Sequence, residues 1–205
     1  MLSIRTILPD TLELLTQLSA QPELQGMRLV GGTALALQYG HRQSIDLDFF
    51  GHLQVSMDDI VLMAHRLGSV TITNQSSTIL QMELNGIKVD VVNYRCYDWI
   101  DAPIVEDGIT LASPKDIAAL KINAIEGRGT RKDFVDVYLL LQHYSLAQIL
   151  DFYKQKYPEH SEFRALLSLT YFDDAETQPM PKMLIKDTWE QMKSSIAAVV
   201  KLYAK

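Results

Sequence analysis

A single cysteine, Cys96, occurs in 205 residues, so no disulfide can form within the chain and a disulfide scaffold is excluded. Long apolar runs are missing: none approaches the roughly 20 residues of a bilayer-spanning helix. The start, Met-Leu-Ser-Ile-Arg-Thr, lacks the cationic, apolar and small-residue regions of a secretion signal. The expectation is a reduced thiol in a cytoplasmic protein. Internal repeats and low-complexity segments are absent. Positive charge is short, with 19 Lys and Arg against 25 Asp and Glu and a net charge of −6. That excludes a uniformly basic nucleic-acid coat. What is present is apolar material, 47% of residues against 21% charged, enough for a core and too much for disorder. One or two globular domains are expected.

The charge is uneven. Residues 1–110 hold 6 Lys and Arg against 13 Asp and Glu, a net of −7, and residues 111–205 hold 13 against 12, a net of +1. Lys115, Lys121, Arg128, Arg131 and Lys132 crowd into one short stretch. Such asymmetry reads either as two solvated surfaces or as a local contact with a polyanion.

The elements change character at the same place. Leu8, Leu12, Leu15 and Leu18 have helical spacing. Met27–Val30 is a short apolar strand running into Gly31-Gly32, and Thr33–Tyr39 reads as a helix ending at Gly40. Ser44–Phe50 alternates as a strand, with Ile45, Leu47 and Phe49 on the packed face. Ser56 opens a helix over 57–67 with acids in its first turn. Leu80, Met82 and Leu84 alternate into Asn85-Gly86, and Ile87, Val89 and Val91 return, which is a hairpin signature. Ile109–Leu111 adds a short strand. Beyond residue 112 the spacing predicts helices near 114–126, 132–143, 146–157, 160–171 and 187–203, the first capped by Ser113-Pro114 and the last by a box of Asp187 and Glu190. The expected fold is α/β (α+β): a mixed sheet with helices on one face over residues 1–110, then a helical domain over 111–205. Tyr171, Phe172 and Trp189 are expected in its core.

Three carboxylates carry the chemistry of the first part. Asp46 and Asp48 lie two apart on a strand and share a face, with Cα atoms about 6.6 Å apart. Alone, such a pair is commonly just solvated; it can also converge on a hard cation such as Mg²⁺, which takes oxygen ligands and keeps substrate phosphates. Gly31-Gly32-Thr33 joins a strand to a helix, where glycines admit a ligand to the backbone and the helix N-terminus offers N–H groups to phosphate. A tight turn with Thr33 as N-cap is the simpler reading. Asp90 interrupts an apolar strand, opposite Val89 and Val91. Three acids on adjacent strands repel one another unless a divalent cation neutralises them.

Strand, Gly-Gly-Thr, helix, Asp-x-Asp and then an apolar-Asp-apolar strand resemble the nucleotidyltransferase superfamily of polymerase-β-like minimal domains. More narrowly, Gly-Gly-Thr-Ala-Leu-Ala-Leu followed by His41-Arg42-x-Ser44-x-Asp46-Leu47-Asp48-Phe49 resembles the AbiEii/AbiGii-type toxin family. The likeness is motif-specific over 29–50, weaker over 87–92, and returns over 113–140.

In the helical part, Lys121 sits on an apolar stripe with Ile117, Ala124 and Leu120, and Asp136 lies in a segment apolar nearly all round. Both need partners. A buried Lys121–Asp136 ion pair between helices is one reading. The resemblance implies another, in which Lys121 and Asp136 are active-site residues. Asp133 lies in a first helical turn, where the dipole alone favours an acid. His41-Arg42 matches the family, so Arg42 is a candidate phosphate contact; a loop-surface role fits it as well. The five histidines lack zinc spacing, and Cys96 lacks a nucleophile's surroundings.

The resemblance implies transfer of a nucleoside monophosphate from an NTP to an acceptor hydroxyl. Asp46, Asp48 and Asp90 would hold Mg²⁺ or Mn²⁺, with Asp90 as metal ligand or as base. Gly31, Gly32, Thr33, Arg42, Ser44 and Lys121 would bind the nucleotide. It further implies a toxin–antitoxin or phage-defence toxin, with RNA (tRNA ends among the candidates) as acceptor and an antitoxin protein as partner. Adenylylation of a small molecule or protein fits the same motifs. A non-catalytic nucleotide-binding module should have lost an acid or the lysine, and here all are kept. An Asp-x-Asp glycosyltransferase would not need Gly-Gly-Thr.

Overall fold

Residues 1–205 are described by a computed structural model, in which the chain divides into two compact units. One is Met1–Asp98 with Ala102–Ala112; the other is Trp99–Asp101 with Ser113–Lys205. Apolar-polar alternation builds the first around seven strands: β1 (Met27–Val30), β2 (Leu47–Gly51), β3 (Val70–Gln75), β4 (Ile79–Leu84), β5 (Ile87–Asn93), β6 (Ile104–Glu106) and β7 (Ile109–Leu111). Their order is β3-β4-β5-β2-β1-β7-β6. The sheet is mixed, since β2 runs parallel to β5 and β1 parallel to β7, while the other neighbours are antiparallel. Leu29, Leu47, Phe49, Leu80, Met82, Val89 and Val91 are buried, each worth roughly 1.5–3 kcal/mol when fully withdrawn from water. Helices α1 (Pro9–Ser19), α2 (Gly31–Tyr39) and α3 (Met57–Leu67) pack on the sheet, α2 against β1 and β2, and α3 against β3 and β4. The intervening residues, such as Asp48, Phe50, Gln81, Asp90 and Val92, are only half-buried.

The acidic strand is shorter than its alternation predicts. It begins at Leu47, and Ile45 is 56% exposed instead of packed. The Ser44 amide donates to the Thr6 carbonyl at 2.8 Å, and the Asp46 carbonyl accepts from the Thr33 hydroxyl. Those backbone groups are thereby withheld from the ladder. The predicted hairpin turn is present, with Asn85 at φ 54° and Gly86 at φ 78°, both positive as a two-residue turn between twisted strands requires.

The second unit comprises α4 (Pro114–Gly127), α5 (Arg131–Leu140), α6 (Leu146–Lys156), α7 (Glu162–Ser168), α8 (Asp173–Glu176) and α9 (Trp189–Tyr203). Local sequence sets their starts: Ser113 caps α4, and Thr130 with Asp133, Ser145 with Gln148 and Thr188 with Gln191 form capping boxes. The last lies one residue beyond the expected Asp187 and Glu190, because Asp187 accepts a hydrogen bond from the Tyr138 hydroxyl at 3.1 Å instead. Phe172 and Trp189 pack against Phe134, tilted and edge-on, at 4.9 and 6.1 Å between ring centroids. Tyr171 departs from the core expectation: it sits on the turn between α7 and α8 and is 54% exposed. No helix is long and apolar enough to cross a membrane.

Candidate functional site

The glycine turn and the acidic strand meet at one place in the sheet unit. Val30 pairs with Asp48 across β1 and β2, so the residue after Val30 lies beside the Asp48 side chain. Gly31 has φ 69°, and a Cβ there would stand 2.5 Å from Asp48 Oδ2. Glycine is required twice, by the left-handed backbone and by the carboxylate pressed against it. The turn therefore accommodates the acid as well as opening the start of α2. Thr33 is buried, and its hydroxyl donates to the Asp46 carbonyl. A direct Thr33 contact with phosphate would have to give up that bond, so its place in this structure is to tie the first turn of α2 to the acidic segment.

Asp48 and Asp90 are direct neighbours in the parallel β2–β5 ladder, whose strands run about 4.8 Å apart. Both are half-buried. Asp90 Oδ2 accepts from Gln81 Nε2 at 2.9 Å and faces Lys88 Nζ at 3.3 Å. Asp90 Oδ1 is buried with no hydrogen-bond partner. Asp46 precedes β2 and is half-buried. The structure thus sets Asp48 and Asp90 side by side. It does not gather Asp46, Asp48 and Asp90 into a ready three-ligand cation site. His41 and Arg42 are buried, not on a loop surface, and Arg42 donates to the Gln43 carbonyl at 3.0 Å. Ser44 is buried beside them in sequence.

Sequence reasoning missed Gln81 and Lys88. The signal was available: a two-residue Asn85-Gly86 turn pairs 84 with 87, and counting back sets Gln81 opposite Asp90, as observed.

In the helical unit Lys121 is buried. Its Nζ lies 2.6 Å from Asp136 Oδ2 and 2.8 Å from Asp133 Oδ1. The ion-pair reading of Lys121 and Asp136 is realised, with Asp133 as an unforeseen third member. Asp133 also completes the Thr130 capping box. Burial pushes its carboxyl up, but the Lys121 ammonium and the Thr130 hydroxyl outweigh this and hold it below its ordinary value of 3.8. A second buried pair joins Lys156 to Asp116 at 3.0 Å. Asp116 also accepts from the Ser113 hydroxyl and the Ile100 amide, and Lys156 lies over the Trp99 ring. Apart from Ser113 capping its helix, nothing in the residue spacing announces this hub.

The cationic stretch is largely committed within its own unit. Lys115 pairs with Asp101 at 3.0 Å. Arg131 donates to the carbonyls of Ala175 and Glu176 and lies over the Trp189 ring. Lys121 is held as above.

A mixed sheet of this order, with a glycine turn at the acidic strand, has the fold of the nucleotidyltransferases. It superposes on MenT4, a nucleotidyltransferase toxin of Mycobacterium tuberculosis H37Rv, with TM-score 0.58 and 15% identity over 93% of this chain and 82% of that one. JHP933 of Helicobacter pylori gives 0.53 and 21% over 96% and 92%. The antibiotic-resistance factor ANT(2'')-Ia gives 0.56 and 12% over 70% and 88%. At these identities the likeness is one of fold. The family is fixed by sequence: the model of the nucleotidyl transferase AbiEii toxin family, type IV toxin–antitoxin system, matches residues 13–203, and the chain belongs to that family. An uncharacterized protein of Aquifex aeolicus VF5 is 34% identical over 181 residues, which are 85% of this chain and 86% of the relative.

Proposed function

We propose that this protein transfers a nucleoside monophosphate from an NTP to an acceptor hydroxyl, with RNA as the acceptor and tRNA ends among the candidates. Membership of the family supports nucleotidyl transfer and a toxin role. The observation that carries the site is the Asp48–Asp90 pair at the Gly31 turn, with one buried Asp90 oxygen lacking a donor. Two carboxylates on neighbouring strands suit a divalent cation, Mg²⁺ or Mn²⁺, and Asp46 lies close in sequence to complete the set. Such an ion would neutralise the triphosphate and polarise the transferred group. In the reaction the acceptor oxygen bonds to the α-phosphorus, the bond to the β-phosphate oxygen breaks, and pyrophosphate leaves with that electron pair. The acceptor proton passes to a base; Asp90 would be that base only in place of holding the ion. Gly31, Gly32, Arg42 and Ser44 would line the nucleotide, and Thr33 would hold the acidic segment. Within the helical unit Lys121, held by Asp133 and Asp136, is the candidate cation for phosphate charge. A cognate antitoxin is the expected protein partner.

Purified protein with Mg²⁺ should label RNA from one radiolabelled NTP, and Asp46→Ala or Asp48→Asn should lower labelling roughly 100-fold or more. Equal labelling by wild type and both variants would overturn the site. A small-molecule or protein acceptor is the second reading. It is favoured by the internal commitment of Lys115, Lys121 and Arg131, and RNA-free extracts that support labelling would establish it.

A further inference from the structure

Four polar side chains stand in one row across four neighbouring strands. Asn74 pairs with Gln81, Gln81 with Asp90, and Asp90 with Asp48. A β-bulge makes the row possible. The β3–β4 register shifts between Ile72 and Asn74, so Asn74, and not Thr73, stands opposite Gln81. Bulges of this kind re-aim a side chain and recur beside active sites. The displaced Thr73 donates its hydroxyl to the Gln81 carbonyl at 3.1 Å.

The hydrogen bonds along the row have a forced direction. An ionised carboxylate only accepts, so Gln81 must turn its amide nitrogen to Asp90 Oδ2, at 2.9 Å. Its oxygen is then left to accept, and Asn74 Nδ2 donates to it at 3.3 Å. Lys88 adds a cation 3.3 Å from the same Oδ2; it is 46% exposed, so solvent screens it. One Asp90 oxygen is thus saturated. The other, Oδ1, is withdrawn from water without a donor, which costs stability. A buried group left so marks stored strain, a catalytic role, or the place of an ion or water, and beside Asp48 in the row an ion is the chemistry that fits.

We propose that Gln81, fixed in turn by Asn74, is a positioning residue for nucleotidyl transfer: it locks the Asp90 carboxylate so that Oδ1 is the oxygen presented to the metal–nucleotide. The inference rests on the reading of Asp90 given above. It adds the residues that tell its two oxygens apart.

The test compares Gln81→Leu, Asn74→Ala, Asp90→Asn and the Gln81→Leu/Asp90→Asn double variant of the full chain. Two quantities are read: steady-state transfer, and Mn²⁺ affinity without nucleotide by electron paramagnetic resonance. Gln81→Leu should lower kcat and weaken Mn²⁺ binding each by about 10-fold, with the NTP KM within about two-fold of wild type. Asn74→Ala should show a smaller loss of the same kind. In the double variant Gln81→Leu should add nothing to Asp90→Asn, because its effect runs through that carboxylate. Wild-type kcat and Mn²⁺ affinity in Gln81→Leu, or additive losses in the double variant, would overturn the positioning role while leaving Asp90 in the site. Unchanged transfer and Mn²⁺ binding in Asp90→Asn would instead overturn the reading beneath it. If Gln81→Leu does not fold, Gln81→Asn takes its place; it keeps an amide one methylene short of Asp90 and should show the same loss.

Discussion

Gly31 shows how much one absent methyl group decides. Its φ of 69° and the 2.5 Å approach of Asp48 Oδ2 to where a Cβ would stand act together. In Gly31→Ala the backbone strain should cost about 1–3 kcal/mol, visible as a lower midpoint in urea. The Asp48 carboxylate, the mobile member of the clash, must swing away from its present place beside Asp90. Transfer activity should then fall more steeply than stability accounts for, by about 10- to 100-fold at a temperature where the variant is fully folded. A folded Gly31→Ala with wild-type kcat would show that the Asp48 position is immaterial. At this scale the sequence is informative where periodicity governs. Asp48 and Asp90 share a face because strands alternate, and Val89, Val91, Leu47 and Phe49 declare the opposite one. It is silent where a side chain bonds to backbone: nothing in the residue pattern says that the Thr33 hydroxyl goes to the Asp46 carbonyl.

Between elements, α4 and α5 are joined by a buried charge cluster, and Asp133 links the tie to the helix cap. Asp133 is held below its ordinary value, so the folded state prefers it ionised. Stability from this group is fully present above the unfolded value near 3.9 and fades as pH falls through the lowered folded value. The stability gap between wild type and Asp133→Asn, from urea unfolding, should therefore be constant from pH 7 to about pH 5 and shrink below about pH 4. A gap that is flat from pH 7 to about pH 3 would separate Asp133 from the stability of the tie. Reading Asp133 as a first-turn acid was sound as far as it went, because the capping box is there. Its second oxygen was out of reach of such reasoning, since pairing with Lys121 depends on how two helices pack. The hairpin at 107–108 was different. Asp107-Gly108, with φ 52° and 77°, is as plain a turn signal as Asn85-Gly86, yet β6 has only three residues of modest alternation. Strand β3 differs again: its alternation is confined to Val70-Thr71-Ile72-Thr73, and from Thr71 to Gln75 it is exposed throughout.

Over the whole chain, the net charge of −6 is an average of unlike parts, and the structure changes what the positive part offers to an RNA acceptor. Five cations between 115 and 132 look in sequence like a polyanion-binding patch. Three of them, Lys115, Lys121 and Arg131, already bind carboxylates or carbonyls of their own unit. One phosphate contact is then expected from this stretch, through exposed Arg128. Counterion release sets the consequence: for single strands the slope of log affinity against log salt is about −0.7 per phosphate contact. One contact gives a slope near −0.7, so RNA affinity should fall only about 3-fold between 50 and 200 mM salt. Filter binding or fluorescence anisotropy with an RNA end measures it. A slope of about −2 or steeper would mean that the internal ion pairs open on binding, and Lys115→Gln should then flatten it by one contact. A slope near zero would remove phosphate contacts from recognition altogether and turn the acceptor toward a small molecule or a protein hydroxyl, with the Asp48–Asp90 site unchanged.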